Sequence, residues 1–361
     1  MKKKLINQLL FTIFCVIIIY YINKNYIQDK NTLSIMIWYD IIDPNTIKQF
    51  EKEFGIKVNV KYYFSNEELI SKLNINHNNI DIIFPSDYTI PILIKQKLIQ
   101  PINPQKIKHF KDLLTKLLEN VTYNKKCFAI PYAWSVFGIV VDENLYNMAK
   151  KINIDIDWYK LFFTGEYQNK TYKIGGTNDL LTIINLAYHY YKENFKKNKI
   201  YSKANLFNII QEILKSQSKN TVVYLNTEYV QQLLENNMIN ITVMQSPDFL
   251  RIMHGHPTLP FHFFIPEYYN LLSCECFAIM RNTQNIDNCY LFINFLLQKE
   301  HIKDMVTKNF WFHTRKDLKI IRSRICTEIK NDIEKKMNKS YYTEEFFDKK
   351  ELLSLIMNLK S

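Results

Sequence analysis

The stretch from Leu33 to Phe84 alternates between short apolar runs and helical segments. This alternation constrains the fold more than any other feature of the 361-residue chain. Leu33–Trp38, Ile56–Tyr63 and Ile80–Phe84 are rich in β-branched and aromatic residues, which predicts three strands. The intervening segments Pro44–Phe54 and Ser65–Leu73 have helical patterns. Strands and helices in this order predict an α/β fold with a mainly parallel sheet covered on both faces.

Both helices have recognisable sequence signals at their ends. Asp43 is available as the N-cap of the first helix, Pro44 suits its first turn, and Gly55 suits its end. Ser65 followed three residues later by Glu68 is the capping-box pattern for the second helix.

Later segments predict a second α/β unit and then a return to the first. The predicted strands are "KTYKIGG" (170–176), "INITVMQ" (239–245) and "LSCECFAIM" (272–280), and the predicted helices are near 180–195, 204–216 and 288–300. The basic tail, 317–361, is predicted to be helical and to pack on the second unit.

The N-terminus has the pattern of an export signal. Lys2–Lys4 form a positive segment, and Leu9–Ile22 is a nearly uninterrupted apolar run of signal-peptide length. No small-x-small cleavage site follows this run. Residues 1–30 are therefore interpreted as a signal peptide or an uncleaved membrane anchor, and the rest of the chain as exported.

Charge and motifs exclude several function classes. The net charge is +12, but the lysines are scattered without a basic stripe, so nucleic acid is not an expected partner. No nucleophile–base motif or P-loop is present, so no enzyme activity and no cofactor are expected. His254, His256 and His262 lie in a polar loop pattern that does not favour a metal site. The six cysteines contain no CxxC pair, and buried free thiols are expected.

Two short polar segments follow predicted strands. They are Trp38-Tyr39-Asp40 and Pro85-Ser86-Asp87-Tyr88. In open α/β sheets ligands bind beyond the carboxyl ends of the strands, so both segments are predicted to face a ligand crevice. The alternative is an aromatic cluster that closes the end of the sheet.

The order of motifs resembles that of the periplasmic spermidine/putrescine-binding proteins, the solute-binding subunits of polyamine ABC importers. The motifs are "W-x-acidic", "F-G-I-K-V" (54–58), "Y-F-S-N-E-E-L-I-S-K-L" (63–73), "D-I-I-F-P-S-D-Y" (81–88) and "I-P-Y-A-W" (130–134). The resemblance implies a type II-like two-lobed periplasmic-binding-protein fold with the ligand cleft between the lobes. It implies that residues 31–136 and 270–314 form lobe 1, and that 137–269 and 315–361 form lobe 2. It also implies a monomer that delivers a polyamine to ABC permease subunits in the inner membrane.

The chemistry of such a ligand can be stated independently. A polyamine is a methylene chain with ammonium groups, and each ammonium needs a carboxylate because an unpaired buried charge is costly. The methylenes need flat apolar walls, and aromatic faces also attract cations. A polyamine site is therefore an aromatic box with acids along it.

The resemblance assigns part of this box directly. The family's tryptophan and acid after the first strand match Trp38 and Asp40, and its serine and tyrosine match Ser86 and Tyr88. Tyr39 is expected near this aromatic wall. Later in the chain, the family's acids match Asp179 and Glu275.

Other positions depart from the family pattern. The family's second-lobe tryptophan falls on Gln245, its tryptophan before the last acid on Ser273, and a tyrosine on Phe312. An acidic position falls on Thr182, and an aromatic one on Ile41. The charges are mostly retained, whereas the apolar box is thinner than in the family.

Two functions from different classes follow. The first is an extracytoplasmic polyamine-binding component of an importer, which the retained acids favour. The second is a degraded or repurposed membrane-tethered structural or interaction protein of the same fold, which the lost aromatic residues favour.

Overall fold

The computed structural model describes residues 31–39, 41–75, 79–152, 158–167, 169–177, 180–191, 203–225, 227–266, 271–320, 324–336 and 341–342. The predicted N-terminal segment 1–30 lies outside them. The strands are β1 (Thr32–Trp38), β2 (Lys57–Tyr63), β3 (Ile82–Ile83), β4 (Thr122–Tyr123), β5 (Lys126–Cys127), β6 (Ile130–Asp142), β7 (Glu166–Tyr167), β8 (Lys170–Thr171), β9 (Ile174–Thr177), β10 (Thr221–Leu225), β11 (Ile241–Gln245), β12 (Phe261–Phe264), β13 (Leu271–Ile279), β14 (Phe312–His313) and β15 (Tyr341–Tyr342).

The α-helices are α1 (Pro44–Phe54), α2 (Asn66–Ile75), α3 (Ile90–Lys95), α4 (Thr115–Asn120), α5 (Glu143–Ile152), α6 (Trp158–Thr164), α7 (Leu180–Tyr191), α8 (Lys203–Ser218), α9 (Thr227–Glu235), α10 (Ser246–Gly255), α11 (Ile286–Leu296), α12 (Lys299–Asn309) and α13 (Arg324–Lys336). Short 3₁₀ turns occur at Asp87–Thr89, Pro104–Lys106 and Phe110–Asp112. Within the described part of the chain, no helix is both long and apolar enough to cross a membrane.

The predicted strand–helix alternation produces a parallel sheet at one end of the molecule. β1 lies between β2 and β3 and is parallel to both. The strand order across the main sheet is β10-β9-β11-β6-β13-β3-β1-β2. The fold is therefore α/β, with one half of the sheet built from the start of the chain and the other from its middle.

β6 joins the two halves of this sheet. Its first part pairs antiparallel with β13, from Ile130 to Val136, and its second part pairs antiparallel with β11, from Phe137 to Val141. All but the last of its 13 residues are buried. Because successive side chains of a strand point to opposite faces, Val136 and Val140 pack in one hydrophobic cluster, while Ile139 packs in the other.

The ends of the first two helices follow the predicted signals. The Asp43 carboxylate accepts a hydrogen bond from the Asn45 amide, Pro44 begins α1, and Gly55 ends it in the left-handed region at φ 65°. At α2 the Glu68 amide donates to Ser65 Oγ at 3.1 Å. The reciprocal bond of the capping box shifts by one residue, since the Glu68 carboxylate accepts from the Phe64 amide.

The two-lobed fold is formed around the two hydrophobic clusters that meet at β6, but the exact lobe boundaries remain a prediction.

The chain after β14 contacts both halves of the sheet. The Lys316 amide donates to the Asp112 carbonyl, whereas α13 packs near α10 and its Lys336 Nζ donates to the Ile265 carbonyl at 2.6 Å. β15 pairs with the start of β13.

Candidate functional site

A cavity of about 280 Å³ lies where the two halves of the sheet meet. The β1–β3 side, contributed by the segments after β1 and β3 and by the start of α2, consists of Trp38, Tyr39, Ile41, Asn66, Ser86 and Tyr88. The β11–α10 side, contributed by α7, the end of β11 and α10, consists of Leu181, Thr182, Gln245 and Arg251. Four further lining residues come from the central strands or the approach to β14: Phe137, Ser273, Glu275 and Trp311.

A connected set of hydrogen bonds holds the polar groups of the β1–β3 side. Asn66 Nδ2 donates to Ser86 Oγ at 2.9 Å and to the Tyr88 hydroxyl at 2.8 Å. The Ser86 amide donates back to Asn66 Oδ1 at 3.2 Å. Ser86 Oγ in turn donates to Glu275 Oε1 at 2.9 Å. The network therefore fixes one oxygen of the Glu275 carboxylate.

The other oxygen of Glu275 is buried and has no hydrogen-bond partner among the described residues. Glu275 lies on the same face of β13 as Ser273, two residues away, and both line the cavity. The pairing with β6 shifts register directly after Glu275, where Tyr132 of β6 is the extra residue. Burial raises the pKa of Glu275 to about 8; the Ser86 hydrogen bond acts in the opposite direction, and nearby Asp87 adds to the rise. Once ionised, this carboxylate has a buried oxygen available to accept a donor from a ligand.

Trp38 forms the aromatic part of the same environment. Its ring packs on Tyr63 with centroids 4.7 Å apart. The indole Nε1 is buried and has no hydrogen-bond partner of good geometry among the described residues, although it is close enough to lower the pKa of Glu275. Tyr39 is 60% exposed and stacks on the exposed Phe64, so it extends the aromatic surface outward.

A second buried carboxylate, Asp87, lies behind this network. It accepts hydrogen bonds from Asn120 Nδ2 at 2.7 Å and from the backbone amide of Tyr88 at 3.1 Å. Burial raises its pKa to about 7, and the bonds it accepts limit the rise. Asp87 does not line the cavity, so it acts on the site through the charge it adds near Glu275.

The polar side chains of the β11–α10 side are held more loosely. Ser135 Oγ donates to Gln245 Oε1 at 3.2 Å, and Arg251 Nη1 lies 3.4 Å from Asp248 Oδ1. Arg251 has a side chain that is 57% exposed. Among the described lining residues, Arg251 is the only one with a cationic side chain and Glu275 the only one with a carboxylate.

The structure brings most of the predicted site residues together. Trp38, Tyr39, Ser86, Tyr88, Gln245 and Glu275 all line the cavity, and so does Ser273. Asp40 and Asp179 lie outside the described residues, although Tyr39, Ile41, Leu181 and Thr182 beside them in sequence line it. Their roles in binding remain predictions.

The placement of Phe312 is corrected. Phe312 is fully buried, pairs with β6, and packs its ring 5.0 Å from that of Trp134, so it is not among the lining residues. The preceding residue, Trp311, lines the cavity instead. Neighbouring residues of an extended segment point to opposite faces, which explains the shift by one position.

Sequence reasoning missed five lining residues. They are Asn66, Phe137, Leu181, Arg251 and Trp311. Asn66 belongs to the "S-N-E" motif and was interpreted only as part of a helix start, while Trp311 stands next to the residue that was chosen. Nothing in the sequence around Arg251 distinguishes it from other surface arginines.

Among the described side chains, the three histidines of the 254–262 segment and the cysteines do not add a second site to this cavity. His262 pairs with Glu143, His256 lies 3.5 Å from Glu235, and His254 packs beside Phe310, so the three rings have separate environments. The described cysteines, Cys127, Cys274, Cys276 and Cys289, are free and buried, as expected. Burial raises the pKa of the Cys274 thiol above its ordinary value.

A two-lobed α/β fold with a cavity between the halves of its sheet has the arrangement in which α/β proteins bind ligands. A family model described as bacterial extracellular solute-binding protein matches residues 45–317, which is well over half of the chain. The chain belongs to this family, which is defined by solute binding and not by catalysis.

Curated relatives and solved structures are similar over most of the chain. The putrescine-binding periplasmic protein SpuD of Pseudomonas aeruginosa is 26% identical over 282 residues, covering 75% of each chain. The putrescine-binding periplasmic protein PotF of Escherichia coli is 26% identical over 293 residues, covering 77% of each. The crystal structure of the spermidine/putrescine substrate-binding protein PotD from Streptococcus pneumoniae superposes with a TM-score of 0.72 at 21% identity, covering 91% of this chain and 98% of that one. This last likeness shows the fold alone.

Proposed function

We propose that this protein is the extracytoplasmic solute-binding component of an ABC importer and that it binds a polyamine of the putrescine or spermidine class. Relatives named for putrescine binding support the ligand class. The fold supports the mode of action, in which the two lobes close around the solute. Permease subunits of the inner membrane are the proposed partners.

The second oxygen of Glu275 is the observation on which the proposal rests. It is buried and has no well-aligned hydrogen bond among the described residues, although the Trp38 indole lies beside it, so its ionised form is unfavourable unless a stronger donor arrives. An ammonium group supplies three donors and a charge that favours the ionised carboxylate. The Trp38 face would cover the adjoining methylenes and attract the cation, by roughly 0.5–2 kcal/mol.

The remaining acids of the proposal come from the sequence. Asp40 is proposed to pair with an ammonium, and Asp179 to hold a further one, as the family resemblance implies. The wall of the proposed site contains Tyr88 and Tyr39 beside Trp38. If Asp40 pairs with an ammonium, Asp40→Asn weakens binding by about 2 kcal/mol or more.

Export is part of the same proposal. The relatives are named as periplasmic proteins, and the positive and apolar N-terminal pattern of residues 1–30 supports export of this chain. We propose a periplasmic location in which the N-terminal segment is either removed or retained as a tether to the inner membrane.

Calorimetric titration tests the function directly. Putrescine and spermidine are titrated into the exported protein at pH 8, with 1,4-butanediol as a ligand of matched chain length but without charge. Saturable one-to-one binding of an amine, and none of the diol, is the expected result. Absence of binding by either amine would favour a repurposed, membrane-tethered interaction protein of the same fold instead.

A further inference from the structure

The charges that line the cavity are unevenly distributed. Glu275 is only 4% exposed and is held by Ser86, whereas Arg251 is largely exposed on α10. The other described residues of the β11–α10 side, Leu181, Thr182 and Gln245, are uncharged. Among the described lining residues, the Glu275 carboxylate is therefore suited to an ammonium, whereas the Arg251 guanidinium repels one.

Arg251 is only weakly neutralised. Its contact with Asp248 is 3.4 Å long and three residues apart on the same helix, and the guanidinium is exposed to solvent. Exposed pairs of this kind contribute little and leave the arginine able to move. A guanidinium is charged at every pH of interest, so its field acts on any cation that enters the cavity.

We propose that Arg251 is a specificity-determining residue that makes the site select amines by the number of their charges. The site takes a short amine whose ammonium groups lie away from Arg251, and it rejects a longer triamine that would bring a further ammonium to α10. This inference rests on the proposed function, since it names which members of the polyamine class the same site accepts. Rejection works through like-charge repulsion, which is an established means of excluding a near-identical ligand.

The test compares, for each variant, the ratio of its affinity for spermidine to its affinity for putrescine. Putrescine and spermidine are titrated into the wild type, Arg251→Ala and Arg251→Lys, at low ionic strength so that the field of Arg251 is not screened. We expect Arg251→Ala to raise the affinity for spermidine at least tenfold relative to that for putrescine. Arg251→Lys keeps the positive charge and is expected to keep the wild-type ratio.

Arg281→Ala is the matched control. Arg281 is exposed, follows the end of β13, and does not line the cavity, so this substitution changes the net charge equally without changing the site. We expect it to leave the ratio within twofold of the wild type.

Three outcomes contradict the proposal in distinguishable ways. If the wild type binds amines but Arg251→Ala leaves the ratio unchanged, Arg251 does not select and the proposed function stands. If Arg281→Ala moves the ratio as much as Arg251→Ala, net charge and not the local contact is responsible. If no variant binds either amine, the proposed function itself is wrong, and with it the ligand class assumed here.

Discussion

The β1–β3 side and the β11–α10 side of the cavity differ in how firmly their polar groups are held. On the β1–β3 side, Asn66 bonds to Ser86 and Tyr88 at 2.8 to 2.9 Å, and Ser86 bonds to Glu275 at 2.9 Å. On the β11–α10 side, the bonds of Gln245 and Arg251 are 3.2 and 3.4 Å long. The polar groups of the β1–β3 side and Glu275 are thus firmly held, whereas the polar groups of the β11–α10 side are held more loosely.

This difference indicates a division of roles between the two sides. A fixed carboxylate and indole need no reordering when a ligand arrives, so binding there costs less conformational entropy. Side chains that are loosely held contribute less affinity but can discriminate among ligands of similar chemistry. We therefore expect substitutions on the β1–β3 side and at Glu275 to change affinity strongly, and substitutions on the β11–α10 side to change it weakly.

Replacing Glu275 should have the largest effect. Glu275→Gln removes the buried negative charge but keeps the shape, so we expect putrescine affinity to fall at least about a hundredfold, because breaking a buried ion pair costs roughly 3–5 kcal/mol. Calorimetric titration at pH 8 measures the change. Glu67→Gln, an exposed residue outside the cavity, makes the same change in net charge and should have no effect. Equal affinities for wild type and Glu275→Gln would remove Glu275 from the site.

The pH dependence of binding should be the next largest effect. The pKa of Glu275 is about 8 in the empty cavity, and an ammonium binds its ionised form, so binding releases a proton. Affinity should therefore fall as pH drops below about 8, by at most tenfold per unit. Glu275→Gln should show a flatter profile between pH 8 and 6.

The same raised pKa has the opposite consequence for the empty protein. The folded state favours neutral Glu275, so its contribution to the free energy of unfolding is complete below the unfolded pKa of about 4.5 and is lost as pH rises towards 8. Glu275→Gln should consequently stabilise the empty protein more at pH 8 than at pH 5, measured by thermal unfolding. Equal stabilisation at both pH values would contradict the burial of the charge. Asp87, whose charge helps to raise the pKa of Glu275, is present in both proteins, and its coupling to Glu275 is part of the measured difference.

The β1–β3 side, whose polar groups are held by the shorter hydrogen bonds, was also the easier one to predict from sequence. Ser86 and Tyr88 follow the short strand β3 and lie at a 3₁₀ turn. Residues that directly follow a strand of an open α/β sheet lie at its carboxyl end, so the local sequence was enough to predict their position. Glu275 was assigned through the family resemblance, although the register shift beside it in the β6–β13 pair has no sequence signal. The parallel sheet and its helix caps followed from periodicity and capping residues alone.

The positions of Trp311 and Arg251 in the cavity depend on long-range pairing of strands, which sequence patterns do not show. Phe310, Trp311 and Phe312 are three aromatic residues in a row, and only the pairing of Phe312 with Trp134 decides which of them faces the cavity. Arg251 reaches the cavity because α10 begins directly after β11. No local motif marks either outcome.

Trp38 should matter more than its exposed neighbour. Trp38→Leu keeps an apolar side chain but removes the ring and the indole donor, so we expect a loss of about tenfold in affinity, equivalent to the roughly 1–2 kcal/mol of a partly desolvated cation–π contact. Tyr39→Leu should cost about twofold or less, because Tyr39 is 60% exposed. Fluorescence quenching or calorimetry measures both. A greater loss for Tyr39→Leu would reverse the proposed order of the aromatic wall.

Adding an aromatic ring to the β11–α10 side should produce the smallest effect, and in the opposite direction. Gln245 is half-buried at the end of β11, where its amide oxygen accepts only a long hydrogen bond from Ser135. Gln245→Trp would give the methylenes of a polyamine a second flat face, and an exposed cation–π contact contributes about 0.5–1 kcal/mol, or two- to fivefold in affinity.

Gln232→Trp provides the comparison for this last substitution, because Gln232 is exposed on α9 and does not line the cavity. Calorimetric titration of putrescine should show tighter binding by Gln245→Trp and no change for Gln232→Trp. A gain for spermidine that is larger than the gain for putrescine would indicate that the added face covers the longer chain near Arg251. If Gln245→Trp binds no more tightly than the wild type, the β11–α10 side does not contact the methylenes, and the residue matching there is wrong. In that case the ligand is held by the β1–β3 side and Glu275 alone, and the difference between the two sides is greater than the hydrogen bonds indicate.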